Sequence, residues 1–402
     1  MKKIKKEIKG ITLVALVVTI IVLLILSGVA ISLSIGEDGI FKRAQDASKI
    51  YENASQNELI EIEKVSNYID NHLNGENSEE QEKYKTVEEA RGKDFFEKTD
   101  IILDKNGKKV VIPENFRVTE DSEIDVNKGI VIEDKDNNQF VWINVENPNN
   151  MYEEAEVQLS GSNIKTNRYS KIRIRNNDDT KYVIGIPGNL ESNREPDLRS
   201  DCDTKEEIYK EIFGYNSADE LAKSFVDEYN DMISSLIKYN GFYVGRYELT
   251  GNKEKATEKK GKVLNNLTWH EIYNACHTVI NSENVKSTMI YGCQWDEIIN
   301  WLLNTGVKNS DELNVNSDSW GNYSESLIET GSNEKFMVNK IFDLAGNASE
   351  WTQEASTELS LGIRIDRGGV YYHPGWPASD RDSNEFGFKD EAHSSRCVLI
   401  IK

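Results

Sequence analysis

The chain has 402 residues, enough for about two or three domains. Asp and Glu outnumber Lys and Arg 69 to 48, a formal charge of -21, which argues against nucleic-acid binding, since that requires a basic footprint. Charged residues make up 29%, so most of the chain reads as a soluble, surface-rich protein. The start is different. A leader, MKKIKKEIKG (residues 1–10), carries Lys2, Lys3, Lys5, Lys6 and Lys9. Between Gly10 and Ile35 no charged residue occurs until Glu37. At about 1.5 Å of rise per residue this run covers a ~30 Å hydrocarbon core. Lysines before a span hold that end in the cytoplasm, so residues 11–35 predict a single-pass bacterial cell-membrane protein with its C-terminal portion outside. The run is long for a signal-peptide core and no A-x-A-like cleavage site follows it closely.

Residues 36–75 place Ile40, Ala44, Ala47, Tyr51 and Ala54 at helical spacing, then Ile62, Val65 and Ile69, which predicts an amphipathic stalk helix. Residues 76–100 are polar and read as a linker. A new regime, residues 101–402, follows. Asn106-Gly107 sits between two β-rich runs, a hairpin signal, and a second strand-turn-strand centres on Asp136 to Asn138. Residues 146–203 read as loops with one strand near Tyr182. Helical periodicity covers Thr204 to Tyr239, and GFYVGRYELT reads as a strand. Thr268 with Glu271 three residues on forms a capping-box pattern, and WDEIINWLLNTG is a further helix closed by Gly306. The remainder is short strands and loops. The fold class is α+β: a long N-terminal membrane and stalk helix, then a domain of short strands, two or three helices and many loops.

Cys202, Cys276, Cys293 and Cys397 match no zinc spacing. One or two disulfides and buried free thiols both remain open. His270, His277, His373 and His393 are scattered and form no ligand motif.

Two resemblances sharpen this reading. The basic leader ending in Gly10, with the apolar run starting at Ile11, resembles type IV prepilins and pseudopilins. That family implies cleavage between Gly10 and Ile11 by a prepilin peptidase, methylation of the new N-terminus, and pilin-like subunits as partners in a surface pilus. Ala15 stands where the family usually has the Glu associated with fibre assembly. Further on, GFYVGRYELT (241–250), LTWHEIYNAC (267–276), GCQWDEIINWL (292–302), WGNY (320–323), IFDLAGNASEWT (341–352) and RGGVYY (367–372) occur in order. Together they resemble the formylglycine-generating (sulfatase-modifying) enzyme family, which implies a C-type-lectin-like fold over residues 101–402.

The enzymes of that family hold copper with two cysteines just after RGG. Here those positions fall on His373 and near Ala378, so no copper chemistry is expected, since soft Cu(I) needs thiolate or thioether ligands. The resemblance also implies calcium at Asn347 and Glu350, whose oxygens suit a hard cation. Tyr371, Tyr372, His373, Trp376, Asp380, Arg381 and Asn384 crowd one Pro- and Gly-containing segment. Loop aromatics give rigid contact area at low entropic cost and stack on sugar faces. In lectin-like relatives this segment is the ligand face, and in some it is rewritten by diversity-generating retroelements. The reading is therefore a non-catalytic, pilin-like surface protein displaying a lectin-like head for an extracellular protein or glycan. The alternative is a membrane-tethered enzyme of the formylglycine-generating or non-haem-metal type.

Overall fold

Apolar runs with no polar alternation dominate the strands of the main sheet: FVWIN (140–144), FYV (242–244) and CVLII (397–401). Such runs belong to strands covered on both faces, and the computed structural model places them there. It describes residues 84–146, 148, 154–159, 162–167, 171–174, 181–184, 205–355, 363–385 and 387–402. The main sheet has six strands in the order Val285–Met289, Cys397–Ile401, Gly241–Gly245, Gln139–Asn144, Val131–Asp134, Phe116–Val118, all antiparallel to their neighbours. The C-terminal strand is thus the second in the sheet, between strands that lie more than a hundred residues before it.

Successive side chains point to opposite faces. Phe140, Trp142, Tyr243, Cys397, Leu399 and Ile401 enter one core, beside Phe225 and the helix Trp269–Cys276. Val141, Ile143, Phe242, Val244, Val398 and Ile400 enter the other, beside the helix Gly292–Asn304 with its Trp295, Ile298 and Leu302. Each fully buried large apolar side chain contributes roughly 1.5–3 kcal/mol. The long helix Ala218–Tyr239 serves both cores, through Leu221 and Phe225 on one side and Met232 and Leu236 on the other.

Local chemistry accounts for the element ends. Asp100–Leu103 pairs with Lys109–Ile112 around Asn106-Gly107, and the Asp104 carboxylate accepts from the backbone of Asn106 and Lys108. Asp134 does the same for Asp136 and Asn138 in the second turn. The Thr268–Glu271 capping box forms. The helix expected over Thr204 to Tyr239 is two pieces: a π-type turn at Glu207–Ile212 and then Ala218–Tyr239. The break follows from Gly214, which adopts φ +77, and from Ser217, which caps the second helix through Glu220 N. The end of the expected linker is packed, not loose: Thr86 caps a short helix, Val87–Ala90, and Val87, Ala90 and Phe96 belong to the core. One compact unit accordingly runs from Gln81 to Lys402.

Two expectations are overturned. Among the described residues no helix is long and apolar enough to cross a membrane, and their regular structure is mostly sheet. The longest helix, Ala218–Tyr239, keeps Lys223, Asp227 and Asp231 exposed. This corrects the fold class, with its long N-terminal membrane and stalk helix, and the single-pass bacterial cell-membrane placement drawn from it. Both had rested on the hydropathy and spacing of residues 11–75. Those residues, with the Gly10–Ile11 processing point and Cys202, lie outside the described ones. Cys276, Cys293 and Cys397 are all buried.

Candidate ligand-binding face

A second, four-stranded sheet carries the segment of interest: Arg381–Glu385, Ile363–Arg367, Ser349–Ala355 and the short His393–Ser394. Arg367 and Arg381 sit opposite each other in register. Between them the chain leaves the sheet through Gly368 and Gly369, both left-handed at φ +92 and +76, and returns through Pro377 to Asp380. Gly369 has a steric reason as well: a Cβ there would lie 1.9 Å from the Trp376 carbonyl oxygen.

The base of this excursion is tied by hydrogen bonds to distant elements. Tyr323 Oη donates to the Trp376 carbonyl at 2.7 Å, Trp295 Nε1 to the Ala378 carbonyl at 3.0 Å, and Arg367 Nε to the Asp380 carbonyl at 2.7 Å. The Ala378 amide donates to Ser317 Oγ at 2.9 Å, and the Ser379 amide to the Leu313 carbonyl at 3.1 Å. Beneath lies a buried charge network. Asp296 accepts from Arg367 at 2.8 Å and from Arg381 at 3.1 Å, and Glu354 accepts from Arg381 at 3.0 Å. Two guanidinium groups thus meet two carboxylates, which is the condition for burying charge at all. Burial drives the Glu354 carboxyl upward against the pull of Arg381 and Arg367.

The expected ligand residues divide sharply. Tyr372 is 52% exposed and His373 is also exposed. Trp376 is half-buried, and its ring stacks on His373 with centroids 4.2 Å apart and planes 18° apart, a flat aromatic platform. Tyr371 meets Tyr372 edge-on at 5.0 Å but is itself buried with Val370 and Ala392 in a small satellite core. Asp380 and Arg381 are buried in the base, and Asn384 donates to Asp366 Oδ2 at 2.9 Å. The structure therefore gathers Tyr372, His373 and Trp376 on the surface and places Tyr371, Asp380, Arg381 and Asn384 in support.

Asn347 and Glu350 do not form one coordination shell. The Asn347 carboxamide oxygen accepts from Asn322 Nδ2 at 2.8 Å and from Ile328 N at 3.0 Å, while its nitrogen donates to Glu248. Both Glu350 oxygens accept from Arg396, one from Nε at 2.6 Å and the other from Nη2. A guanidinium facing both oxygens repels a hard cation, so this pair does not fit calcium. Asn347 acts instead as a loop hub, left-handed at φ +60, a conformation Asn tolerates better than most.

Two further features stand out: the first joins residues far apart in the chain, and the second is local to residues 250–265. Glu228 and His277 meet at 2.5 Å, 49 residues apart, beside a cleft of about 390 Å³. His277 Nδ1 faces the Tyr273 carbonyl at 2.8 Å and Nε2 faces the carboxylate. Both nitrogens face acceptors, so both donate and His277 is an imidazolium with no lone pair for base catalysis. Burial alone would lower the His277 pKa, but Glu228 outweighs it and the pKa is raised. Burial would likewise raise Glu228, but His277, Thr288 and Gln353 hold it down at about 2. The second feature is a cleft of about 450 Å³ walled by Lys259, Lys260 and Lys262.

No family model and no curated protein matches the chain. Among solved structures it is similar to Treponema denticola variable protein 1, at 12% identity and TM-score 0.30, covering 40% of this chain and 84% of that one. It is also similar to CarF, at 13% identity and TM-score 0.29, covering 40% of this chain and 87% of that one. Likenesses this distant carry no argument about function.

Proposed function

We propose that this domain is a non-catalytic ligand-binding head whose contact face is the tip Tyr372, His373 and Trp376. The observation that carries the reading is the prestacked pair of exposed His373 and half-buried Trp376, held out on a base of buried hydrogen bonds and ion pairs. Exposed rings fixed in place gain contact area without a further ordering cost, which is how rigid aromatic anchors dominate recognition surfaces. A protein or a glycan is the partner such a face suits.

The test is binding of the intact chain to a glycan array and a protein array, compared with the Tyr372→Ala/Trp376→Ala variant. The expected result is a loss of about 2 kcal/mol or more, roughly thirtyfold, on whichever probes the wild type retains. The melting temperature should fall by only a few degrees. Unchanged binding by a folded double variant sinks the reading.

A further inference from the structure

The lysine cleft stands out against a chain of net charge -21. It follows a two-stranded hairpin, Thr250–Asn252 with Lys255–Thr257, and is lined by Thr250, Lys259, Lys260, Gly261, Lys262 and Asn265. Lys260 and Lys262 are exposed and Lys259 is half-buried, and among the described residues none of the three forms an ion pair. The neighbouring acid that could neutralise them is turned inward: Glu258 is fully buried and accepts from the Cys397 amide at 2.6 Å. Lys253, by contrast, is matched by Glu271 at 3.2 Å.

The cleft is tied to the aromatic tip along two routes. On one, Asn265 Nδ2 donates to the Glu391 carbonyl at 2.7 Å and Asn266 N to the Asp390 carbonyl at 2.8 Å, while Tyr371 Oη reaches the Glu391 carboxylate at 3.4 Å. On the other, Gly261 bridges Thr330, and the preceding Ile328 and Tyr371, which supports the tip, both bond Asn347, through its side chain and its carbonyl respectively. Leu327 and Trp376 both pack against the satellite core that holds Tyr371. The connecting segments carry Glu329 and Glu391, both exposed, which repel an anion from the tip itself. An acidic group on a bound molecule is therefore directed to the lysines.

We infer that the cleft is an anion subsite of the same face, and that the ligand is an acidic saccharide. Its ring face lies on His373–Trp376 and Tyr372, and its sulfate or carboxylate lies against Lys259, Lys260 and Lys262. The inference rests on the proposed binding face. Flat stacked rings suit a sugar face, and compact ammonium charges suit a monodentate anion better than a planar fork would require.

The test uses the intact chain and three immobilised probes: dextran sulfate, uncharged dextran and poly-glutamate. Wild type should bind dextran sulfate at least about tenfold more tightly than the other two, and weaken as salt rises, because exposed charges are screened over about 8–10 Å. The Lys259→Gln/Lys260→Gln/Lys262→Gln variant should lose about tenfold and most of the salt dependence, with an unchanged melting temperature. The three single variants, losing proportionately less, cover the case in which the triple variant fails to fold. Loss in the Tyr372→Ala/Trp376→Ala variant with full binding by the lysine variants overturns the subsite and leaves the proposed face standing. Loss in the lysine variants alone overturns the link between cleft and tip. Equal binding to poly-glutamate overturns the saccharide in favour of an acidic peptide, and no binding to dextran sulfate by wild type overturns the inference altogether.

Discussion

Between Arg367 and Arg381 the chain passes through two regions built in opposite senses. At the base, charged side chains are inside: Arg367, Arg381, Asp296 and Glu354 are all nearly or wholly buried. At the tip, large aromatic side chains are outside, with Tyr372 at 52% exposure. Residue type alone would have ordered them the other way round. Partners explain the inversion. Each base charge has an opposite charge within 3.1 Å, whereas the rings at the tip lie against other aromatic rings, Tyr372 on Tyr371 and Trp376 on His373. Rigidity comes from the charged region, and the aromatic surface is what that rigidity supports.

The largest expected effect comes from breaking the companion ion pair under the same sheet. Arg396→Met leaves Glu350 buried without its cation and removes donors from the Gly245 and Phe342 carbonyls. Stranding one partner of a buried pair costs about 3–5 kcal/mol, read by urea denaturation. A cost below about 1 kcal/mol would show that Glu350 is neutral in the fold.

Gly369→Ala attacks the joint between the two regions. Its Cβ meets the Trp376 carbonyl, and φ +76 is unfavourable for any side chain, so a loss of about 1–3 kcal/mol is expected. Binding at the tip should fall with it. Stability lost with binding retained would mean that the tip does not depend on its base.

Two pH predictions follow for helices that flank the sheet. Burial, with Asp296 adding repulsion, raises Glu297 from 4.5 to about 7. A raised carboxyl contributes stability that is present below pH 4.5 and is lost as pH rises through about 7, so Glu297→Gln should stabilise the protein above pH 7. The ceiling is about 3 kcal/mol. Glu228, held at about 2, behaves oppositely: its contribution is present above pH 4.5 and is lost as pH falls toward 2. His277, raised above 6.5, adds stability present below 6.5 and lost as pH rises through its folded value. His277→Gln should therefore cost most near pH 5–6 and progressively less at alkaline pH. A pH-independent cost measured by thermal denaturation would contradict the imidazolium assignment.

The smallest effect on stability sharpens the comparison most. Tyr372→Ala should lie within about 0.5 kcal/mol of wild type, as surface substitutions do, while Tyr371→Ala should cost about 3 kcal/mol or more because its ring is part of the satellite core. Equal costs for the two neighbours would erase the distinction between base and tip.

Much of the local structure was legible in residue order. Asn106-Gly107, Thr268 with Glu271, and the segment beginning at Tyr371 each carry their own chemistry within a few positions. The division within that segment was not legible. Tyr371 and Tyr372 are identical in type and adjacent, and only the packing of Val370, Leu327 and Ala392 places one inside and leaves the other out. Asn347 and Glu350 lie three apart in a single motif, yet Arg396 and Asn322 draw them to different partners. The lysines of the cleft were visible only as charges.

By itself, the sequence determined turns, caps, the apolar runs that become the main sheet, and the concentration of aromatics near the C-terminus. Each of these depends on neighbours within about four residues, where covalent geometry sets distance. Tertiary structure alone decided which charges are buried, which aromatics face water, and that His277 meets Glu228. Those outcomes depend on groups brought together from positions tens to hundreds of residues apart, and no local pattern encodes the charge that will stand opposite.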